Sequence, residues 1–449
     1  MSPPPIRGRR GKARRMGEAI EAAGAARRAV NLAATRPIDD VERDLDAIGV
    51  DAELEAREVA DSIRARRTGT TGRRTEPFVG PVGRGAGRRV PDLSGLPLLL
   101  VGTGAFGDLR ARLGDAAQGA SARGRHAGVT SVPHGAKSYL AAALALAPEG
   151  ARLCWIARDA EIGDRVAEEF QAWLGDADLV AVLEPRTALA YERSELVADE
   201  TAARVAALAS WRSGRARVLV ASVQALLQHT IEPADLPADP LRLRVGERRT
   251  QAALLAALLD LGYVPTIEVA GRGEFARRGG LVDIFPPSAP LPVRIEFFGD
   301  EIDSIRAFDP TDQRSTGPVD DVALLPASEF LRPPAGTANL AVRLGARATA
   351  RLGERLAADF ERLGRDDVAG STRAVDVGDA AEVWAPYLAP ATGLDHIDPG
   401  TLIVLDEPGD IAEAATFLWR QADERRGELV AAGDLPRDWP ATYLGPRDW

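Results

Sequence analysis

Two places in this 449-residue sequence combine residue types that could bind phosphate and metal. Lys137 and Ser138 close the stretch GVTSVPHGAKS, and Asp406 and Glu407 close the apolar run LIVL. A phosphate-binding loop reads GxxxxGK followed by Ser or Thr. Its glycines let backbone N–H groups close on the phosphates, its lysine neutralises them, and its hydroxyl holds magnesium. An acid at the end of a neighbouring strand completes the metal site. Here Ser131 and Ala136 fill the glycine positions. Pro133 removes an N–H from inside the loop, and the Ala136 methyl stands where the backbone should be bare. The stretch reads as a lapsed nucleotide site whose helix is kept for packing. Pro408 and Gly409 follow the acids, so Asp406 and Glu407 read as an acidic strand end capping the next helix.

Other chemistry is sparse. Gly102, Gly104 and Gly107 spell GxGxxG, but no strand ending in an acid follows about twenty residues on, as a dinucleotide site requires. A glycine-rich strand-to-helix turn is the simpler reading. The four histidines (His126, His134, His229, His396) show no metal-ligand spacing, and the single Cys154 excludes an intramolecular disulfide framework. They assemble into no catalytic constellation.

The densest motif is GRGEFARRGGLVDIFPPSAPLPVRIEFFGDEIDSIRAFDPTDQRS, residues 271–315. It presents Arg272, Arg277 and Arg278 around glycine-rich turns, then Arg294, Phe297 and Phe298 on one strand of a hairpin. Gly299-Asp300 suits the tight connection because glycine tolerates positive φ. Arginine can grip a carboxylate with two parallel bonds, and a neighbouring aromatic supplies a rigid anchor, so the pattern suits a protein interface. The plainer alternative is solvated arginine beside a core phenylalanine.

These residues need a scaffold, and the pattern supplies one. Short apolar runs at 97–101, 152–157, 179–183 and 217–222 alternate with amphipathic stretches at 137–147, 161–174, 200–213 and 223–228. That is the wiring of buried parallel strands with crossover helices. After Pro240 the pattern changes to a helix over 250–261 and then strands in VPTIEVA, GGLVDIF, PVRIEFF and EIDSIRAF. A mainly antiparallel insert is expected over 240–324. Helical patterns at 338–364 and 410–431 around an apolar strand at 401–408 then resume the α/β wiring.

Residues 1–92 carry a net charge of +5 and the remaining 357 residues −15. The acidic body disfavours broad nucleic-acid binding, which needs a basic face. The arm is expected to be flexible and partly helical. No apolar run reaches the roughly 20 residues of a membrane span, so a cytoplasmic protein with no membrane contact is expected.

GEFARRGGLVDIFPP, RIEFFGDEIDSIRAFDP and TDQRS resemble the segment shared by UvrB and the transcription-repair coupling factor family, Mfd. The resemblance runs from about Leu93 to Trp449, taking in GVT at 128–130, VASVQAL at 220–226 and LDHIDPGTLIVLDEP. EPRTALAYE (184–192), PASEFL (326–331) and the missing loop glycines favour the coupling factor over UvrB. It implies a UvrB-like domain 1a over 93–239, a UvrA-interaction domain 2 over 240–324 and domain 1b over 325–449. The family's UvrA-binding surface uses two arginines and an aromatic, matching Arg278, Arg294 and Phe298. RNA polymerase and DNA are partners of the full-length family, and ATP and magnesium serve a motor that these residues do not contain. The chain is thus expected to be a fragment or a stand-alone docking module without cofactor or catalysis. The competing expectation is a UvrB-type or residual P-loop ATPase.

Overall fold

The computed structural model describes residues 91–114, 127–148, 150–331, 344, 352–364 and 373–443. The arm expected over 1–92 lies outside them save its last two residues, as do residues 338–343 and 345–351 of the helical pattern expected over 338–364. The chain divides into two units, Met1–Glu76 and Pro77–Trp449; the elements below belong to the second.

Two short helices, α1 (Gly95–Val101) and α2 (Gly104–Leu113), come first. Residues 97–101, expected as a buried strand, are therefore helical, and GxGxxG joins two helices rather than a strand and a helix. A short apolar run does not reveal its period. Here tertiary contact decides: Pro97 is buried, and the Tyr139 hydroxyl donates to the Leu96 carbonyl oxygen at 2.8 Å.

The wiring expected of the body then appears: α3 (His134–Leu146), β1 (Leu153–Ala157), α4 (Ala160–Leu174), β2 (Val180–Leu183), α5 (Ala198–Arg212), β3 (Val218–Ser222) and α6 (Val223–Leu227). β1 and β3 are buried throughout, as continuous apolar strands between two helical layers must be. Helix α4 starts where the Asp159 carboxylate accepts from the Ile162 N–H and stops at Gly175, whose φ of 71° suits a residue without Cβ.

A two-residue strand β4 (His229–Thr230) precedes β5 (Leu241–Arg244), α7 (Gln251–Asp260), β6 (Val264–Pro265), β7 (Glu274–Arg278), β8 (Leu281–Ile284), β9 (Val293–Phe298), β10 (Glu301–Phe308), β11 (Ser315–Pro318) and β12 (Asp321–Leu324). β5 pairs antiparallel with β12, Leu241 opposite Leu324, so both ends of this excursion are zipped together. Between them lies a six-stranded sheet ordered β11-β10-β9-β8-β7-β6. Only its β6–β7 pair is parallel. VPTIEVA contributes just its first two residues to that sheet; the rest is loop, while EFARR forms the unforeseen strand β7. Phe275, Val282, Ile284, Val293, Ile295, Ile302 and Ile305 pack with Leu254 and Leu258 of α7 as one core.

The chain then returns through α8 (Glu354–Gly364), α9 (Ala381–Leu388), β13 (Ala391–Thr392), β14 (Leu402–Leu405) and α10 (Pro408–Ala432). β14 pairs parallel with β1, Leu153 opposite Leu402, completing a sheet ordered β14-β1-β3-β2. The molecule is thus mixed α/β, a parallel sheet in the body and an antiparallel sheet inserted in the sequence between β3 and β14. Among the described residues no helix is long and apolar enough to cross a membrane.

Where β12 leads back into the body, Glu329 is buried between two arginines. Its Oε1 accepts from Arg204 Nε at 2.8 Å and Thr230 Oγ1 at 2.6 Å; its Oε2 accepts from Arg186 Nη1 at 3.1 Å. Arg186 Nε also donates to Glu382 of α9 at 2.6 Å, and all four charged side chains are essentially inaccessible. Burial pushes the Glu329 carboxyl upward, but Arg204 and Arg186 more than reverse this and hold it below the usual carboxylate range. His229 lies beside the cluster, its pKa pushed down to about 4 by burial.

Removing one member of such a cluster leaves a charge without a partner. Glu329→Ala is expected to cost about 3–5 kcal/mol of unfolding free energy in urea titrations. His229 stays neutral when folded but takes up a proton near its ordinary pKa when unfolded. Its contribution, about 3 kcal/mol, is therefore fully present above pH 6.5 and is lost as pH falls from 6.5 towards 4. Denaturant midpoints across that window should fall less steeply in a His229→Gln variant.

Candidate functional site

Strand alternation and register place Arg278, Arg294 and Phe298 on one face of the six-stranded sheet, opposite the face that packs on α7. Arg278 stands opposite Leu281, Leu281 opposite Glu296, and Asp283 opposite Arg294; cross-strand partners share a face. Arg294, Glu296 and Phe298 follow at period two along β9. Phe297 points the other way and packs, partly buried, against the α7 core. The expectation of two exposed aromatics is corrected to one: Phe298 is 83% exposed. The hairpin beside it turns as expected, Glu301 opposite Phe298 and Gly299 at φ 62°.

The two arginines differ in kind. Arg294 Nε and Nη2 donate to Asp283 Oδ1 and Oδ2 at 2.7 and 2.8 Å, a two-pronged bond to a carboxylate with only 1% of its side chain exposed. Nη1 reaches the Gln313 carbonyl oxygen at 3.3 Å, and the guanidinium lies 4.7 Å over the Phe308 ring. Arg294 is thus fastened down, with its fork already matched. Arg278 remains available: its Nη2 donates to the Ile267 carbonyl oxygen at 3.3 Å and lies 3.6 Å from Glu268, both contacts at the surface. Arg277 is exposed beside it. Arg272, expected to be presented to solvent, is instead structural. It binds Asp199 at 3.0 Å and the Pro287 and Ala289 carbonyls, and stacks over Phe285 at 4.9 Å. Asp283 went unnoticed in the sequence, although a lone acid inside LVDIF, one register from an arginine, was a readable signal.

Lys137 and the acids also meet, across 269 residues of chain. Lys137 Nζ donates to Asp406 Oδ1 at 2.7 Å and Glu407 Oε1 at 2.5 Å. The acids therefore neither cap α10 nor stand idle: Glu407 occupies the N-cap position without a side-chain cap bond, at φ 58°. Ser131 keeps the left-handed backbone that its position favours in glycine, φ 62°. Ala136 already lies in the first turn of α3, its N–H bonded to the Pro133 carbonyl oxygen at 2.8 Å. Ser138 is buried; its hydroxyl donates to Glu169 and accepts from the Trp173 indole N–H at 3.1 Å. Lys137, Ser138, Asp406 and Glu407 are thus engaged with one another or with neighbouring side chains.

Residues 241–330 match the family model described as the UvrB interaction domain, which takes in the whole antiparallel sheet. Around it the chain is similar to transcription-repair-coupling factors. It is 29% identical to that of Bacillus subtilis over 60% of this chain and 24% of the relative. It is 38% identical to that of Mycobacterium bovis over 41% of this chain and 15% of the relative, and 41% identical to that of Escherichia coli K12 over 25% and 10%. The match thus spans at most about a quarter of these relatives' length. It agrees with the resemblance to the N-terminal, UvrB-like region of that factor drawn from the sequence motifs.

Asp406 is buried, so Lys137→Met should cost about 1–3 kcal/mol by stranding its carboxylate. Adding Asp406→Asn should recover part of that loss in urea titrations. Glu407, held below the usual range by hydrogen bonding to Lys137, contributes above its ordinary pKa and loses that contribution as pH falls through the lowered value. Desolvation opposes the lysine's charge, yet the two acids leave its pKa raised, so the cluster persists until pH exceeds the ordinary lysine value.

Proposed function

We propose that this chain is a recruiting module of transcription-coupled excision repair, in which the outer face of the antiparallel sheet docks UvrA. RNA polymerase and DNA are then partners of the larger assembly rather than of this face. The observation that carries the reading is Phe298, 83% exposed on strand β9 and on the same face as an available arginine, within the stretch matching the UvrB interaction domain. An exposed ring sharing a face with a guanidinium is the chemistry of a binding hot spot. Arg294 supports that surface by holding β8 and β9 in register through Asp283.

The module is non-catalytic on this reading, because Lys137 is paired with Asp406 and Glu407 and Ser138 is tied to Glu169. A second reading, a residual nucleotide site, draws on the convergence of Lys137 with Asp406 and Glu407. Isothermal titration with ATP and magnesium separates them: no saturable binding is expected, and binding abolished by Lys137→Ala would favour the second.

Docking is tested by titrating UvrA into the full chain. Arg278→Glu and Phe298→Ala should each cost about 2 kcal/mol of binding free energy with unchanged thermal unfolding. Arg294→Ala should lower both affinity and unfolding temperature, since it strands Asp283. Absence of binding by the wild type, or equal affinity in Arg278→Glu and Phe298→Ala, would count against the reading.

A further inference from the structure

We propose that Ile267 is a second apolar anchor of the docking face, seating in an apolar socket of the partner beside an acidic group that meets Arg278. The inference rests on the docking role proposed above and extends it to a residue outside the recognised motif.

Ile267 is 92% exposed, more than any other large hydrophobic side chain among the described residues. Its loop is nonetheless tightly tied. The Val264 N–H donates to the Gly273 carbonyl oxygen at 2.9 Å and the Thr266 N–H to that of Phe275 at 2.8 Å. The N–H groups of Ala270 and Gly271 both donate to Glu274 Oε2 at 2.8 Å. Two residues beyond Ile267, Val269 is fully buried with Ala276, Phe285 and Phe308, and its carbonyl oxygen accepts from Gln313 Nε2 at 3.2 Å. The backbone is therefore pinned on both sides of Ile267, which holds an aliphatic side chain in water where its burial would be favourable.

Position gives that exposure a purpose. Arg278 donates to the Ile267 carbonyl oxygen, and the register from Arg278 through Leu281 to Glu296 brings Phe298 to the same end of the sheet. The Phe297 N–H closes this corner by donating to the Gly280 carbonyl oxygen at 2.9 Å. Ile267 thus adjoins Arg278 through its backbone, Phe298 stands at the same end of the sheet, and both apolar side chains are exposed to solvent. Apolar contacts around a charged pair exclude water and strengthen it, so the matching surface carries an acid within an apolar rim. Glu268, 3.6 Å from Arg278, occupies the acid's place within the free chain.

The test is calorimetric titration of UvrA into the full chain carrying Ile267→Ala, Ile267→Asp or Ile267→Leu, beside Arg278→Glu and Phe298→Ala. Ile267→Ala should weaken binding about tenfold, Ile267→Asp more, and Ile267→Leu should retain most affinity. Unfolding temperatures should not move, because the side chain lies in solvent. Wild-type affinity in Ile267→Asp, with Arg278→Glu and Phe298→Ala impaired, overturns the role of Ile267 while leaving the docking face standing. A wild-type chain that does not bind UvrA removes both.

Discussion

Everything in the body is organised around a carboxylate that cannot reach water. Glu329 is pinned by Arg186 and Arg204, and Arg186 in turn engages Glu382, so the loop after β2, helix α5, the return from the antiparallel sheet and helix α9 converge at one point. Charges removed from solvent persist only when each has partners of good geometry. The constraint is therefore mutual: the return segment has one seat, and the β5–β12 zipper has a defined root. EPRTALAYE and PASEFL carry Arg186 and Glu329, which explains physically why two distant words of sequence belong together.

The same pairing chemistry yields three outcomes according to burial. In the body core it is structural cement. On the sheet, Arg294 and Asp283 make an intermediate case, one partner buried and the other at the surface, so that a charged residue stiffens a face it also decorates. Arg278 and Glu268, both exposed, make a loose contact that a competing carboxylate can replace. Lys137 is a second intermediate case, pairing at once with the buried Asp406 and the exposed Glu407.

Much of the scaffold was legible. β1, β2 and β3 are continuous apolar runs, and the β9–β10 hairpin follows from alternation around Gly299-Asp300. Where expectation failed, a local pattern had two solutions and a distant contact chose. Residues 97–101 became helix against α3, and most of VPTIEVA became loop because Val269 found a core of its own. Arg272 looked like a surface cation until the fold brought Asp199 and Phe285 to it.

By itself the sequence determined the β9–β10 hairpin around Gly299-Asp300, the serine and alanine at positions 131 and 136, and the α/β wiring, because all three depend on neighbours along the chain. Only the tertiary structure decided which arginine is available and which is fastened, that Ser138 is buried against Glu169, and that Lys137 is paired with two acids 269 and 270 residues away. Charge and hydrogen-bonding state depend on what lies within a few ångströms in space, and chain folding sets that distance independently of sequence separation.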